Sequence, residues 1–151
     1  EINYLTHSEF KELNERLSLL NQQPEVLREK KNGDYLVENR MYVNAVRIYE
    51  NALQKEDKEG LGEQFNGGIY HNMGCAYLNL FQFQEAADCF WKAYELLHTK
   101  QVYRHYLTAS YMRNPQEFPQ ICRKMEVEAE EQEEIIRNLE QSAKKARKVS
   151  G

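Results

Sequence analysis

His71 and Cys75 stand four residues apart, and their types and spacing are the ones in this chain that could do chemistry. On a helix such a pair shares one face, within side-chain reach. A Cys–His pair can make a thiolate nucleophile or supply two metal ligands. His105 is the one further residue that could approach them, if the chain repeats. Against chemistry, no third ligand is local in sequence, no Gly-rich oxyanion loop is visible, and Cys75 directly follows a glycine that suits helix packing. No phosphate loop, paired catalytic carboxylates or zinc-finger spacing occurs. The expectation is therefore a non-catalytic chain with no cofactor and no metal, and a small Cys/His enzyme or metal site is kept as the third alternative.

The elements that would position these residues come from composition and periodicity. A chain of 151 residues fits one domain with a real core. With 41% hydrophobic and 29% charged residues it reads as an ordinary soluble protein, and a mean hydropathy of −0.83 suits an elongated shape with much surface. A net charge of −4 disfavours a general nucleic-acid binder. No apolar run approaches the ~18 residues of a membrane span, so no membrane partner is expected. The chain begins at Glu1 without Met, which reads as a fragment or a processed product. Its three cysteines, Cys75, Cys89 and Cys122, lie inside helical patterns. A reducing, cytoplasmic setting fits them better than a disulfide framework.

Apolar residues recur at helical spacing almost throughout. A first helix is expected over about 8–22, capped by Thr6 or Ser8, and Pro24 suits the first turn of a second, ending near Glu38. A third covers about 43–55, "KEGLGEQFNGG" reads as the loosest loop with part of it able to extend a helix, and further helices span about 69–80, 83–98 and 101–112. "NPQEFP" breaks the chain before a long charged helix over 117–149. The fold class is all-α.

An internal repeat organises these helices. From Gly74, landmarks follow at Tyr77, Ala86, Phe90 and Ala93; from Gly33 the matching places hold Leu36, Ala45, Tyr49 and Ala52. The two copies sit 41 residues apart, which is 34 plus an insertion of seven at about 60–66. A small residue on one helix lets its partner approach, and an Ala and a large aromatic on that partner fill the space. Such a hairpin cannot bury its face alone and needs stacked neighbours.

These residues and spacings resemble the tetratricopeptide repeat: Tyr70, Met73, Gly74, Tyr77, Ala86, Phe90 and Ala93 match that family's pattern. His98 departs from it, standing near where a Pro usually closes the unit. The resemblance implies a right-handed solenoid of antiparallel helix pairs in a single domain. Repeat 1 covers 26–59 and repeat 2 covers 67–100. A degenerate repeat 3 covers 101–127, where Gln120 and Lys124 replace the expected Ala and aromatic. A HEAT-like solenoid also fits a period of 41.

By the same resemblance the first helix of each unit lines a concave groove that binds a peptide or protein segment. The groove residues expected are Lys30, Asp34, Glu38, His71, Asn72, Cys75, Leu78, Asn79, His105, Tyr106 and Arg113, with Lys31, Val37 and Val102 also on inner faces. Each position is equally readable as plain solvated helix surface. A subset of the family grips chaperone C-terminal carboxylates. Lys30 and Asn72 match that clamp, but Asp34, Val102 and Tyr106 do not, and Asp34 would repel a carboxylate. The mixed signs favour a segment with both charge and apolar character.

The C-terminal stretch opens with Glu126, Glu128, Glu130, Glu131, Glu133 and Glu134 and closes with Lys144, Lys145, Arg147 and Lys148, a polarity that suits the helix macrodipole. A narrow stripe of Met125, Ala129, Ile136, Leu139, Ala143 and Ala146 is left for contact. It reads first as a capping helix, and second as a self-association surface, since no clean heptad runs through it. The leading function is thus an interaction scaffold, and the alternative is a structural or oligomerising adaptor segment of a larger protein.

Overall fold

The computed structural model describes residues 6–21, 25–55 and 62–150. Thr6 starts the first helix as a capping box requires: its hydroxyl accepts from the Glu9 backbone N–H at 3.2 Å, and the Glu9 carboxylate accepts from the Thr6 N–H at 3.0 Å. The helices are α1 (His7–Asn21), α2 (Glu25–Glu38), α3 (Tyr42–Leu53), α4 (Gly62–Asn79), α5 (Phe83–Leu97), α6 (Lys100–Arg113), α7 (Phe118–Lys124) and α8 (Ala129–Ser150). No strand occurs among the described residues, so the fold is all-α. None of the helices there is long and apolar enough to cross a membrane.

Two hairpins, α2/α3 and α4/α5, are copies of one another down to single hydrogen bonds. In the first, the Met41 N–H donates to the Leu36 carbonyl at 2.8 Å and the Arg40 N–H to Val37 at 3.0 Å. In the second, Gln82 donates to Tyr77 at 3.0 Å and Phe81 to Leu78 at 3.1 Å. Every partner is shifted by the same 41 residues. This pair of bonds is the Schellman ending, which needs a left-handed residue after the helix. Arg40 and Phe81 fill that role, with φ of 61° and 60°. An L-residue there costs about 1–2 kcal/mol that glycine does not. Arg40 is exposed, so Arg40→Gly is expected to raise the unfolding free energy by about 0.5–1 kcal/mol in denaturant melts, while Arg40→Val should lower it.

The interiors of the hairpins match as well. A Cβ added to Gly33 would lie 2.5 Å from the Tyr49 ring, and one added to Gly74 would lie 2.7 Å from the Phe90 ring. Both rings are fully buried, each between two fully buried alanines, Ala45 and Ala52 or Ala86 and Ala93. The core runs along the helices as three clusters, linked by the half-buried Tyr77 and Tyr106. One cluster joins α2, α3 and α4 around Val26, Tyr49 and Ile69. The next joins α5 to α6 through Ala87, Phe90 and Ala109, and the last joins α6, α7 and α8 through Leu107, Phe118, Cys122 and Ile135.

Part of "KEGLGEQFNGG" extends a helix: α4 begins at Gly62 and takes in Gly67, which lies against Leu97. Residues 62–66 are helical, and Pro24 and residues 56–61 lie outside the described residues. Two expectations change. The charged stretch 117–149 is two helices. Glu126, at φ 55°, ends α7 with the same Schellman bonds, Val127 to Cys122 at 2.9 Å and Glu126 to Arg123 at 3.2 Å. That break moves the contact stripe of α8. Ile135, only 4% exposed, is its buried residue, with Ile136 and Leu139 beside it, while Ala129 and Ala143 are exposed.

Candidate functional site

Tyr49 links the packing of the first hairpin to its polar face. Because Gly33 lets the ring lie flat on α2, the phenol hydroxyl reaches Asp34 and donates to Oδ1. Asn72 of α4 donates its Nδ2 to the same oxygen at 2.8 Å, and Lys30 Nζ lies 2.8 Å from Oδ2. Burial, then the bond to Asp34, holds the Tyr49 phenol far above the usual tyrosine range, so it stays a donor. Asp34 is therefore saturated by three donors from three helices.

The second hairpin carries different chemistry at the same places. Lys30, Asp34 and Tyr49 correspond, at the offset of 41, to His71, Cys75 and Phe90. Phe90 has no hydroxyl, so Cys75 has no phenol to accept from. His105 enters from α6, and its Nδ1 lies 2.8 Å from His71 Nε2. The rings are nearly parallel, at 19° with centroids 5.0 Å apart, and both lie against Phe90 at 5.7 and 5.4 Å. One ligand atom from each of His71, Cys75 and His105 falls within 4.8 Å of the other two.

Electrostatics keep this cluster uncharged. Burial lowers the proton affinity of both imidazoles; a hydrogen bond with Asn72 partly opposes this at His71, and the neighbouring His71 adds to it at His105. Burial pushes the Cys75 thiol up to about 11, which favours its protonated form.

These shifts set a pH dependence. The unfolded chain protonates its histidines near 6.5, whereas the folded protein resists until lower pH. The stabilisation is fully present above pH 6.5 and is lost as pH falls through the lowered folded values. Carboxylates also titrate on acidification, so the measurement is a difference. The stability of the wild type minus that of the His71→Gln, His105→Gln double variant is expected to be flat above neutrality and to fall below pH 6.5.

A cleft of about 470 Å³ opens beside His105, between α6 and α8. Lys100, Arg104 and Thr108 line one side, and Ile135, Leu139 and Ser142 the other. Arg104 holds the walls together, 3.4 Å from Glu131 and 3.1 Å from Glu134. Arg104, Thr108 and the α8 wall were not among the expected site residues; no spacing in the sequence pairs a Glu-rich helix start with one particular arginine.

The other expected groove residues divide. Lys30, Asp34 and Asn72 form one network, and His71, Cys75 and His105 form the adjoining cluster. Asn79 bonds its own helix, donating to the Cys75 carbonyl at 2.8 Å, and Glu38 and Lys31 are exposed. Leu78 packs with the Ala109 cluster and Val37 with the first core. Val102 is buried, at 3% exposure, a correction to its placement on an open inner face. Tyr106 and Arg113 open onto a different cleft of about 390 Å³, where Tyr106 meets Trp91 at 5.1 Å and Arg113 meets Glu117 at 3.4 Å. Gln120 and Lys124 line it too, while Phe118 and Cys122 pack in the core with Leu107 and Ile135. Compared with family models, curated proteins and solved structures, the chain finds no match.

Proposed function

We propose that the two matched hairpins are tetratricopeptide-like units and that the chain is a non-catalytic scaffold binding a peptide or protein segment along the inner faces of α2, α4 and α6. What supports the repeat reading is the common offset of glycine-on-aromatic packing and Schellman turns in the two hairpins. The observation that carries the function is the polar run Lys30–Asp34–Asn72–His71–His105, which crosses three first helices and leads into the α6–α8 cleft. The run joins one hairpin to the next by side-chain bonds and stays partly exposed, where apolar residues would have served stability alone.

α8 covers part of α6 and forms the far wall of this cleft, so the binding surface is the strip from Lys30 to His105 and the cleft mouth. Its mixed charge and the apolar wall at Ile135 and Leu139 favour a segment carrying both charged and apolar residues. Peptides selected from a displayed library on the purified protein test this. An enriched peptide is expected to lose about tenfold or more in affinity, near 1.4 kcal/mol, to the Asn72→Ala, His105→Ala double variant. Tyr106→Ala should change it much less, since that residue opens onto the other cleft. Retained affinity in a folded double variant places the site elsewhere and ends the proposal.

A further inference from the structure

We propose that His71, Cys75 and His105 bind one thiophilic transition-metal ion, zinc(II) foremost, as a three-ligand site with an open fourth position. The proposal is independent of peptide binding and stands on the arrangement of the donors. His71 and Cys75 lie one turn apart on a single face of α4, and α6 brings His105 to them from the neighbouring unit. All three ligand atoms already fall within 4.8 Å of one another. Tetrahedral zinc, with Zn–N of about 2.0–2.1 Å and Zn–S of about 2.3 Å, needs ligand separations of about 3.3–3.6 Å. The two imidazole nitrogens, at 2.8 Å, must therefore part slightly, and the sulfur must close in. Side-chain rotation supplies both movements.

The surroundings orient the ligands as metal sites require. Asn72 commits its Nδ2 to Asp34 and also hydrogen-bonds the His71 ring beside it. His71 Nε2 faces into the cluster, 2.8 Å from His105 Nδ1. The chain Lys30–Asp34–Asn72–His71 is a carboxylate-anchored support of the kind that fixes the tautomer of a ligating histidine. Phe90 packs against both imidazoles on the buried side, and His105 borders the α6–α8 cleft, the nearest route for a water to the fourth position. One thiolate and two imidazoles suit zinc(II), and neither magnesium nor calcium. The first hairpin has no equivalent site, because Lys30 and Asp34 hold the corresponding places and neutralise each other.

The step balances simply. Zinc(II) displaces the Cys75 thiol proton, and both imidazoles stay neutral. In the bound state each imidazole carries its proton on the ring nitrogen that does not coordinate, so the proton now between His71 Nε2 and His105 Nδ1 leaves that contact by tautomerisation. One proton is released per ion bound, and nothing is oxidised or reduced.

Untagged, reduced protein titrated with cobalt(II) tests this. The expected result is saturation at one equivalent, with a thiolate-to-cobalt charge-transfer band in the near ultraviolet, both reversed by zinc(II), and one proton released per zinc(II) in weakly buffered solution. Cys75→Ser should abolish the charge-transfer band, and His105→Gln should weaken zinc(II) binding about 100-fold or more, since removing a ligand exceeds the loss of a supporting group. Cys122→Ala should leave the titration as in the wild type. If the wild type shows no charge-transfer band, or if His105→Gln and Cys75→Ser with unchanged helicity titrate like the wild type, there is no such site. Should Cys75→Ser fail to fold, the wild-type spectrum and His105→Gln decide the matter alone.

Discussion

Gly74→Leu is expected to destabilise the chain by about 3 kcal/mol or more, the largest effect of any single substitution on the inner helices. A Cβ alone at this position would sit 2.7 Å from Cε1 and 2.8 Å from Cδ1 of Phe90, closer than real Cβ atoms approach a ring. The far end of a flexible side chain would step aside, but Phe90 cannot. Its ring is fully buried, fixed by Ala86 and Ala93 on its own helix and by His71 and His105 across the interface. Relief must come from α4 and α5 moving apart, which opens the most extensive helix contact among the described residues. The propensity gain of replacing a mid-helix glycine, about 1 kcal/mol, works the other way and does not offset this. Asn79→Ala serves as the control, since that side chain bonds only its own helix, and it should cost about 0.5 kcal/mol or less. Adding Phe90→Leu to Gly74→Ala should recover part of the loss, because a smaller residue frees the space. Equal losses for Gly74→Leu and Asn79→Ala in thermal melts would mean that the close approach is not what holds the hairpin.

Much of this was legible in the sequence, for a physical reason. A glycine facing an aromatic between two alanines is a packing requirement, and packing fixes spacing. The pattern from Gly33 to Ala52 and from Gly74 to Ala93 thus carried the hairpins. His71 and Cys75 were legible as neighbours from their helical spacing, and His105 as the residue that could approach them if the chain repeats. What stayed hidden depended on backbone breaks or on pairings between distant helices. Glu126 adopts the left-handed conformation that usually marks glycine, so nothing in its type announced the end of α7. A stripe counted through it from Met125 found Ile136 and Leu139 but missed Ile135. Tyr49 was legible as a packing aromatic, but the reach of its hydroxyl to Asp34 was not, because periodicity does not register what lies at the end of a buried ring.

That hydroxyl makes Asp34 the second position of large effect. Asp34→Ala is expected to cost about 3 kcal/mol, several times more than the loss of any one of its partners. The carboxylate accepts from Tyr49 and Asn72 on one oxygen and pairs with Lys30 on the other. Tyr49 is fully buried, so without Asp34 its hydroxyl keeps the desolvation cost with no acceptor, about 1–3 kcal/mol. Tyr49→Phe removes that hydroxyl together with its need and leaves Asp34 with Asn72 and Lys30, so it should cost only about 1 kcal/mol. Lys30→Met should cost less still, because the ion pair lies near the surface. The decisive measurement is the double variant Asp34→Ala, Tyr49→Phe. If the orphaned phenol carries most of the loss, the double variant should be more stable than Asp34→Ala alone, a coupling visible in denaturant melts. Simple additivity would show that Asp34 acts through Lys30 and Asn72 instead. The same variants bear on the inner face, because Asp34 also holds the Asn72 amide that orients His71. Asp34→Ala should shift the His71 ring resonances while Tyr49→Phe leaves them nearly in place, which separates the carboxylate as an anchor of the polar run from the carboxylate as a partner for a buried phenol.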